Sequence, residues 1–492
     1  MASLKSLVKD TAVYGVSSII GRLLNWLLVP IYTYTFTATG EYGIVTNLYS
    51  YVAVALILLT YGMETGFFRF TNHERWKNPD TVYTTTLISI GTTALIFAII
   101  MCLVSPSVAR LLDYGDHPDY IWMMAIAVAA DAFTSIPFAY LRYKKRPYRF
   151  ATIKLVGIGL NIVLNLLFIK LFPAVLGWTP QIGYIFLANL ICSLITLILL
   201  VPELTAVKWT FDRKLLSQML RYSLPLLVLG LAGIMNQTID KILLPILVPD
   251  KNQAMEELGI YGACYKVAVI MVMFLQAFRF AYEPFVFARN KEKTQDSAEK
   301  LQDYSRVMTW FVAVGFLIFL AVMEYLPILR YFISPAYFQG LKVVPIIMLA
   351  ELFFGIFFNL SIWYKLTDRT AWGSYFSMGG LCITVALNVI LVPRYGYMGC
   401  AWAALACYAG MMIASYIMGQ RYLKIPYEMP VMAQYAACAL ILWGFGELIK
   451  TGKPFIDMMQ GTILIFIYLG LIWNLGLNRR NPVKLIKKLL HR

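Results

Sequence analysis

The stretch "GVSSIIGRLLNWLLVP" (15–30) decides the fold class, because it is apolar over most of a membrane span yet carries Arg22 near its middle. A helix needs about 20 apolar residues to cross the hydrocarbon of a bilayer. A guanidinium group at that depth is costly unless it faces protein or water. The stretch therefore predicts a membrane helix with one face on an aqueous cavity.

The composition extends this interpretation to the whole chain. Of its 492 residues, 60% are apolar and 14% are charged, and the mean hydropathy is +0.68. About fourteen segments are long and apolar enough to cross a membrane: 11–35, 41–68, 81–105, 119–141, 151–171, 181–201, 217–247, 257–287, 305–326, 341–366, 370–393, 398–420, 428–449 and 455–477. Little sequence remains for a soluble domain, so the predicted fold is an all-α, polytopic membrane protein.

The net charge of +16 follows the membrane topology and does not indicate a nucleic-acid partner. Most of the 42 lysines and arginines lie in the tails and the even-numbered connections, as in "RYKKRPYR" (142–149) and "ARNKEKTQDSAEK" (288–300). Basic residues are enriched in cytoplasmic loops. We therefore expect both termini in the cytoplasm, with the basic tail, 478–492, on anionic lipid headgroups.

The sequence contains an internal repeat. The stretch 15–30 aligns with "GLAGIMNQTIDKILLP" (230–245), and "EYGIVTNLY" (41–49) aligns with "ELGIYGACY" (257–265). The paired residues include Gly15 with Gly230, Gly43 with Gly259, Tyr49 with Tyr265, Asn165 with Asn388, and Gly183 with Gly399. Several matches in the same order favour a duplicated chain over chance similarity between apolar segments.

Six predicted helices separate the two copies, so both halves enter the membrane in the same direction. Such parallel repeats place the substrate site at their interface. We predict an N-terminal six-helix bundle (1–210), a C-terminal six-helix bundle that repeats it (211–425), helices 13 and 14 (426–477) and the basic cytoplasmic tail (478–492). The two bundles are expected to surround a central cavity.

Ionisable residues at membrane depth are candidate functional residues. Arg22 lies roughly 16 Å into the first helix, at 1.5 Å per residue, and either faces substrate or pairs with a carboxylate such as Glu64. In the second copy, Gln237 takes the position of Arg22, and Asp240 and Lys241 follow. Adjacent residues point to different sides of a helix, so Asp240 and Lys241 need not pair with each other.

Predicted helix 8 contains "FLQAFRFAYEPF" (274–285), in which Gln276, Arg279 and Glu283 follow an i, i+3, i+7 pattern on one helix face. Arg279 and Glu283 can form an intrahelical ion pair. Alternatively, Arg279 forms a ladder of cations with Arg22 and Lys241 along a substrate path. The sequence leaves both interpretations open.

These patterns define two sets of candidate residues. The predicted substrate-binding residues are Arg22, Asn25, Gln237, Lys241, Gln276 and Arg279. The predicted coupling-ion residues are Glu64, Asp240 and Glu283. Two further intramembrane carboxylates, Asp131 and Glu351, have no visible partner and are equally compatible with a coupling role, whereas Glu324 is expected to extend toward the headgroups at the outer interface.

Enzymatic chemistry is not indicated. The sequence has no Walker motif, no nucleophile–base set, no paired catalytic carboxylates and no metal-ligand spacing. We therefore predict a transporter that needs no cofactor and no metal.

Two motifs suggest a family. "GEYGI" (40–44) and "LNVILVPRYGYMGCAWAALACY" (387–408) resemble the helix 1–2 turn and the helix 11–12 region of polysaccharide flippases, in the multidrug/oligosaccharidyl-lipid/polysaccharide (MOP) exporter superfamily. The resemblance implies alternating-access translocation of a polyprenyl-diphosphate-linked oligosaccharide across the bacterial plasma membrane. The product would feed lipopolysaccharide O-antigen, capsule or exopolysaccharide synthesis. It also implies a polysaccharide polymerase, glycosyltransferases and membrane lipids as partners.

Three alternatives remain at this point. Lipid II flippases resemble this pattern, but they have an acidic residue directly after the helix 1 arginine, where this chain has Leu23. Multidrug exporters of the same superfamily bind cations and need acidic cavity residues. A non-transporting scaffold or a sugar-linking enzyme is the third, although the short outer loops leave little room for catalytic chemistry.

Overall fold

The structure, a computed structural model, describes residues 20–21, 23–72, 78–115, 117–291 and 297–477. Every regular element in these ranges is helical, and no strand occurs among them. The predicted all-α fold class is confirmed.

The helices follow one another with short connections. From Val29 to Thr205 they are α1 (Val29–Thr35), α2 (Thr39–Thr60), α3 (Met63–Thr71), α4 (Pro79–Leu111), α5 (Pro118–Tyr143), α6 (Pro147–Leu166), α7 (Phe172–Leu176), α8 (Gly183–Leu199) and α9 (Val201–Thr205). The others are α10 (Arg213–Leu247), α11 (Lys251–Lys291), α12 (Ser297–Glu324), α13 (Leu326–Leu329), α14 (Val343–Leu360), α15 (Ile362–Leu366), α16 (Ala371–Tyr395), α17 (Tyr397–Tyr422), α18 (Met429–Ile449) and α19 (Pro454–Leu477). A π-helical turn, Leu167–Leu171, joins α6 to α7, and 3₁₀ turns lie between α13 and α14.

The predicted membrane spans agree with these helices. Twelve helical segments in the described part of the chain are long and apolar enough to cross a membrane, and α8 is a shorter apolar helix. Together they account for the predicted segments from 41–68 onward. The first predicted segment, 11–35, lies only partly within the described ranges. Twelve candidate spans and one shorter apolar helix in the described residues are roughly consistent with the predicted fourteen.

Local sequence explains where several helices begin. Proline occupies the first turn of α4, α5 and α6, where its missing N–H group costs no helical hydrogen bond. Before α10, Asp212 accepts hydrogen bonds from the N–H groups of Lys214 (2.8 Å) and Leu215 (3.0 Å). This side chain satisfies two donors that the helix itself leaves free.

The chain forms two compact units. The first comprises Met1–Ala263 and Leu381–Cys400, and the second comprises Cys264–Gly380 and Ala401–Arg492. These boundaries differ from those of the sequence repeat because α11, α16 and α17 are divided between the units. The assignment of the repeat halves to 1–210 and 211–425, with 426–477 and 478–492 outside them, stays a prediction.

Within the first unit, the repeat-related glycines Gly43 and Gly259 lie in a reciprocal contact. A methyl group on Gly43 would overlap the carbonyl oxygen of Met255, and one on Gly259 would overlap the carbonyl oxygen of Thr39. Gly43 and Gly259 are separated by the same 216 residues as Thr39 and Met255. Reciprocal contacts of this kind are expected across a two-fold axis, so the packing supports a parallel repeat.

A second repeat-related pair has matching hydrogen bonds. Asn165 donates from Nδ2 to the carbonyl oxygen of Asn161 (2.8 Å), and Asn388 donates from Nδ2 to that of Thr384 (2.7 Å). In each case the acceptor is four residues earlier in the same helix. Buried amides in a membrane helix need such partners, and the shared pattern supports the alignment of these asparagines.

Candidate functional site

A cavity of about 580 Å³ lies within the first unit, between α2, α3, α5, α6 and α8. Its charged and amide side chains are Asn25, Glu64, Asp131, Arg142, Lys154, Asn161 and Asn189. Hydroxyl groups of serine and threonine lie between them. A lining of this kind favours water over lipid, because charged groups at membrane depth need hydration or a partner.

The cavity reaches the middle of the predicted membrane layer. Asp131 lies near the centre of α5, roughly 18 Å from either end at 1.5 Å per residue. Arg142 lies at the C-terminal end of the same helix, about 16 Å from Asp131 along the axis. The polar lining therefore extends from the end of α5 to its centre.

Asp131 and Lys154 are the charged residues in the deep part of the cavity, near the middle of the predicted membrane layer. The Ser193 hydroxyl group and the Lys154 ammonium group both stabilise the charge of the Asp131 carboxylate, and Lys154 does so without a direct ion pair. Lys154 Nζ also lies 4.1 Å from the ring centroid of Phe138, a cation–π contact. The ammonium group is therefore held in the cavity but is still able to pair with an anion.

Glu64 and Arg142 form an ion pair on the cavity wall, between Glu64 Oε1 and Arg142 Nη2. Their side chains are 42% and 33% exposed, respectively. The sequence predicts Glu64 as a coupling residue or a partner of Arg22 and places Arg142 in a basic loop. The structure pairs Glu64 with Arg142, since both side chains face the cavity. A coupling role for Glu64 and a contact with Arg22 stay predictions.

A break between α2 and α3 positions Glu64. Tyr61 and Gly62 adopt positive φ values of 31° and 71°, which end α2 and begin α3 in a new direction. A side chain at Gly62 would also meet the Ser223 carbonyl oxygen at 3.0 Å. Glycine fits here because it tolerates the left-handed conformation and the close approach. The break falls two residues before Glu64, in the cavity wall.

Asp240 and Lys241 form a second polar cluster in the first unit. Lys241 Nζ donates to Asp240 Oδ1 (3.0 Å) and to the carbonyl oxygen of Gln237 (3.0 Å). Tyr261 donates its hydroxyl hydrogen to Asp240 Oδ2 (2.7 Å). The sequence does not require the adjacent Asp240 and Lys241 to pair with each other. The structure pairs them, since the long lysine side chain folds back along the helix.

This second cluster continues into α2. Asn47 Nδ2 donates to the carbonyl oxygen of Lys241 (2.8 Å), and the Tyr114 hydroxyl donates to Asn47 Oδ1 (2.6 Å). Burial raises the pKa of Tyr114, so its phenol remains a hydrogen-bond donor. The network therefore ties the connection after α4 to α2 and α10.

The candidates on α11 lie in the second unit. The Arg279 guanidinium carbon is 4.1 Å from the ring centroid of Phe358, and Gln276 lies one turn earlier on the same helix. The side chain of Glu283 lies outside the described part, so its pairing with Arg279 stays a prediction. In the second unit, Tyr265 donates its hydroxyl hydrogen to Glu351 Oε1 (2.6 Å), which supplies a partner that the sequence does not reveal.

Arg22 lies outside the described residues. Its role and the ladder with Lys241 and Arg279 stay predictions. Asn25, by contrast, is exposed on the cavity wall, and its role in substrate binding stays a prediction. The structure therefore brings Asn25 and Glu64 together, and separately Gln237, Asp240 and Lys241.

Lys154 and Arg142 are the functional candidates that the sequence interpretation missed. Arg142 belongs to the basic stretch 142–149 and Lys154 follows it, and this stretch resembles an ordinary cytoplasmic loop. Pro147 is the signal for a helix start in that stretch. Starting α6 there would place Lys154 roughly 10 Å inside the membrane helix. Among the described residues, no group of three His, Cys, Asp or Glu side chains could hold a metal ion.

Solved structures share this fold. One is described as lipid II flippase MurJ in an inward closed conformation; it is 13% identical, has a TM-score of 0.73, and the alignment covers 94% of this chain and 98% of that one. Another is an inward-facing multidrug resistance MATE family transporter of the MOP superfamily, 16% identical, with a TM-score of 0.63 and coverage of 84% and 94%. At these identities the likeness establishes the fold alone.

The sequence comparisons identify the family. No curated protein matches this chain significantly. Residues 7–285 match the family described as "Polysaccharide biosynthesis protein". Since that match covers more than half of the 492 residues, this chain belongs to the polysaccharide biosynthesis protein family.

Proposed function

We propose that this chain is a flippase that moves a polyprenyl-diphosphate-linked oligosaccharide from the inner to the outer leaflet of the bacterial plasma membrane. The transported glycan would supply surface polysaccharide synthesis, with glycosyltransferases acting before the flippase and a polymerase after it. Family membership and the transporter-like fold support this proposal. The observation that carries it is the polar cavity with Arg142 and Lys154 on its wall.

The two cations suit a diphosphate for different reasons. The guanidinium group of Arg142 presents a planar set of N–H donors that can bind two phosphate oxygens at once. Lys154 supplies a compact charge deeper along the cavity. Without substrate, Glu64 and Asp131 partly neutralise these cations. A bound diphosphate can therefore take the place of the carboxylates, so that both cations keep a negatively charged partner.

The membrane potential would assist such transport. Moving two negative charges outward across about 100 mV, inside negative, is favourable by about 4–5 kcal/mol. An inward cation could add to this driving force through Glu64, Asp240 or Glu283. The ion pairs of Glu64 with Arg142 and of Asp240 with Lys241 mean that a coupling cation would compete with a positively charged side chain at these two positions.

A flipping assay tests the proposal directly. The full chain would be reconstituted into vesicles with a fluorescent polyprenyl-diphosphate-linked trisaccharide, and a membrane-impermeant quencher would report the fraction in each leaflet. We expect Lys154→Gln and Arg142→Gln to slow flipping about tenfold or more, since each removes one charge-assisted contact of about 1.5–3 kcal/mol. Lys145→Gln is the matched control, because Lys145 is an exposed cation in the connection between α5 and α6.

The same vesicles distinguish the alternative functions. Flipping of lipid II but not of the trisaccharide lipid would identify a peptidoglycan-precursor flippase. Export of a cationic dye, with neither lipid moved, would identify a multidrug exporter. Wild-type vesicles that move none of the three would contradict a transport function.

A further inference from the structure

Glu324 lies between helices and not at the membrane surface. The sequence predicts that this residue, at the end of α12, extends toward the lipid headgroups. The structure contradicts that prediction, because Glu324 is only 3% exposed. Its side chain turns toward α18 and α19, the two helices that fall outside the predicted repeat.

Two glycines make room for the Glu324 carboxyl group. A methyl group on Gly446 of α18 would overlap Oε1 of Glu324. A methyl group on Gly461 of α19 would lie 2.7 Å from Glu324 Cβ and 3.2 Å from Oε2. This one side chain therefore touches both helices of the pair. Next to it, the Tyr325 and Thr462 hydroxyl groups are 2.8 Å apart and form a hydrogen bond across the same junction.

One oxygen of the carboxyl group lacks the partner that an ionised form requires. Oε1 of Glu324 is buried and has no hydrogen-bond partner within the described ranges. The close approach of Gly446 leaves no room for a metal ion or a water molecule on that side. An ionised carboxylate buried without compensating hydrogen bonds is costly, whereas the neutral acid is much less so.

The charged groups on the neighbouring helices are engaged elsewhere. Lys450, directly after α18, attracts an ionised Glu324, and Glu447 of α18 repels it, but Lys450 and Glu447 form an ion pair with each other. On α19, Asp457 Oδ1 accepts hydrogen bonds from the N–H group (2.8 Å) and the hydroxyl group (2.9 Å) of Thr451. These charges offset one another and do not replace a direct partner for Glu324.

We propose that Glu324 is a proton-binding site that controls how firmly α18 and α19 dock on α12. In the docked arrangement the carboxyl group carries a proton and fits between the two glycines. Loss of the proton creates a charge that needs water, and water reaches it only when the helix pair loosens. The ligand is a hydrogen ion, since a proton needs no additional volume.

The direction of the pH effect follows from linkage. The docked state binds the proton more tightly than the loosened state does, so docking is firmest at low pH. As the pH rises, the equilibrium constant for loosening should increase by about tenfold per pH unit while only the loosened form is ionised. It reaches a plateau once the docked form also ionises.

Hydrogen–deuterium exchange on the full chain in vesicles tests this site. Between about pH 5 and about pH 9, after correction for the chemical exchange rate, wild-type exchange in 429–449 and 454–474 should rise about tenfold or more. Glu324→Gln and Glu324→Met, which cannot ionise, should stay protected throughout. Glu299→Gln is the matched control and should follow the wild type, because Glu299 is an exposed carboxylate at the opposite end of α12.

Two results would overturn the proposal. One is a wild-type exchange rate that does not change with pH in these two helices. The other is a pH profile in either uncharged Glu324 variant that matches the wild type. The experiment needs no lipid-linked substrate, so it goes beyond the proposed flippase function and its outcome is independent of it.

Discussion

The reciprocal glycine contact predicts a specific pattern of destabilisation. Gly43→Ala and Gly259→Ala each place a methyl group against a main-chain carbonyl oxygen, at Met255 and Thr39, respectively. A carbonyl within a helix cannot rotate away as a flexible side chain can. The N-terminal ends of α2 and α11 must therefore separate in either variant.

The expected magnitude follows from this forced separation. Overpacking a tight contact costs typically about 1–3 kcal/mol. In an open helical position, replacing glycine by alanine instead stabilises by about 0.5–1 kcal/mol. Gly444 of α18 offers such a position, because a methyl group there would meet nothing within 4 Å. Gly444→Ala is thus the control variant, which should raise the stability of the protein.

Thermal and denaturant unfolding of the purified protein in detergent would measure these changes. Because Gly43 and Gly259 belong to one contact, the first alanine already separates the helices and the second should add little. The double variant is therefore expected to be less destabilised than the sum of the single variants, by about 0.5 kcal/mol or more. Strictly additive effects, or single variants that unfold no more easily than the wild type, would refute the reciprocal packing.

Three further predictions follow from the polar contacts. Asp240→Asn should lower the free energy of unfolding by about 3 kcal/mol, because it removes the negative charge that faces the buried Lys241 ammonium group. Denaturant unfolding curves of Asp240→Asn and Lys241→Met, compared with the wild type, would measure this loss. Tyr114→Phe should cost about 1–2 kcal/mol, since the buried oxygen of Asn47 loses its donor, and an unchanged unfolding midpoint would contradict that network. Glu64→Gln should change stability by less than about 1 kcal/mol, because its ion pair is partly exposed, yet it should alter flipping of the diphosphate lipid by freeing Arg142, as measured in the vesicle assay.

Helix positions were predictable because membrane helices carry their signal locally. An apolar segment of sufficient length specifies a span whatever surrounds it, and the segments from 41–68 onward agree with the observed helices. The alignment of Gly43 with Gly259 also paired two residues that lie in one reciprocal contact in the structure. The depth of Asp131 in the membrane could also be predicted, since the residue number gives the distance along a helix.

The partners of charged side chains were not predictable in this way. Glu64 meets Arg142 across 78 residues of sequence, and no local pattern connects them. Burial of Glu324 depends on two distant glycines, Gly446 and Gly461, whereas sequence position alone suggests a residue near the interface. Position along a helix gives depth, but the facing side chains depend on how helices rotate and pack.

Differences in hydration explain why Arg142 and Lys154, and not Lys241, are the proposed cationic contacts of the substrate. The side chains of Lys241 and Asp240 are 12% and 8% exposed and bind each other directly. A substrate anion would have to break that pair and leave Asp240 with an uncompensated charge in a dry environment, which is strongly unfavourable. Arg142 pairs with a carboxylate that is itself 42% exposed, so water can stabilise Glu64 after the exchange. We therefore expect loss of the Arg142 charge to affect transport more than stability, and loss of the Lys241 charge to affect stability first.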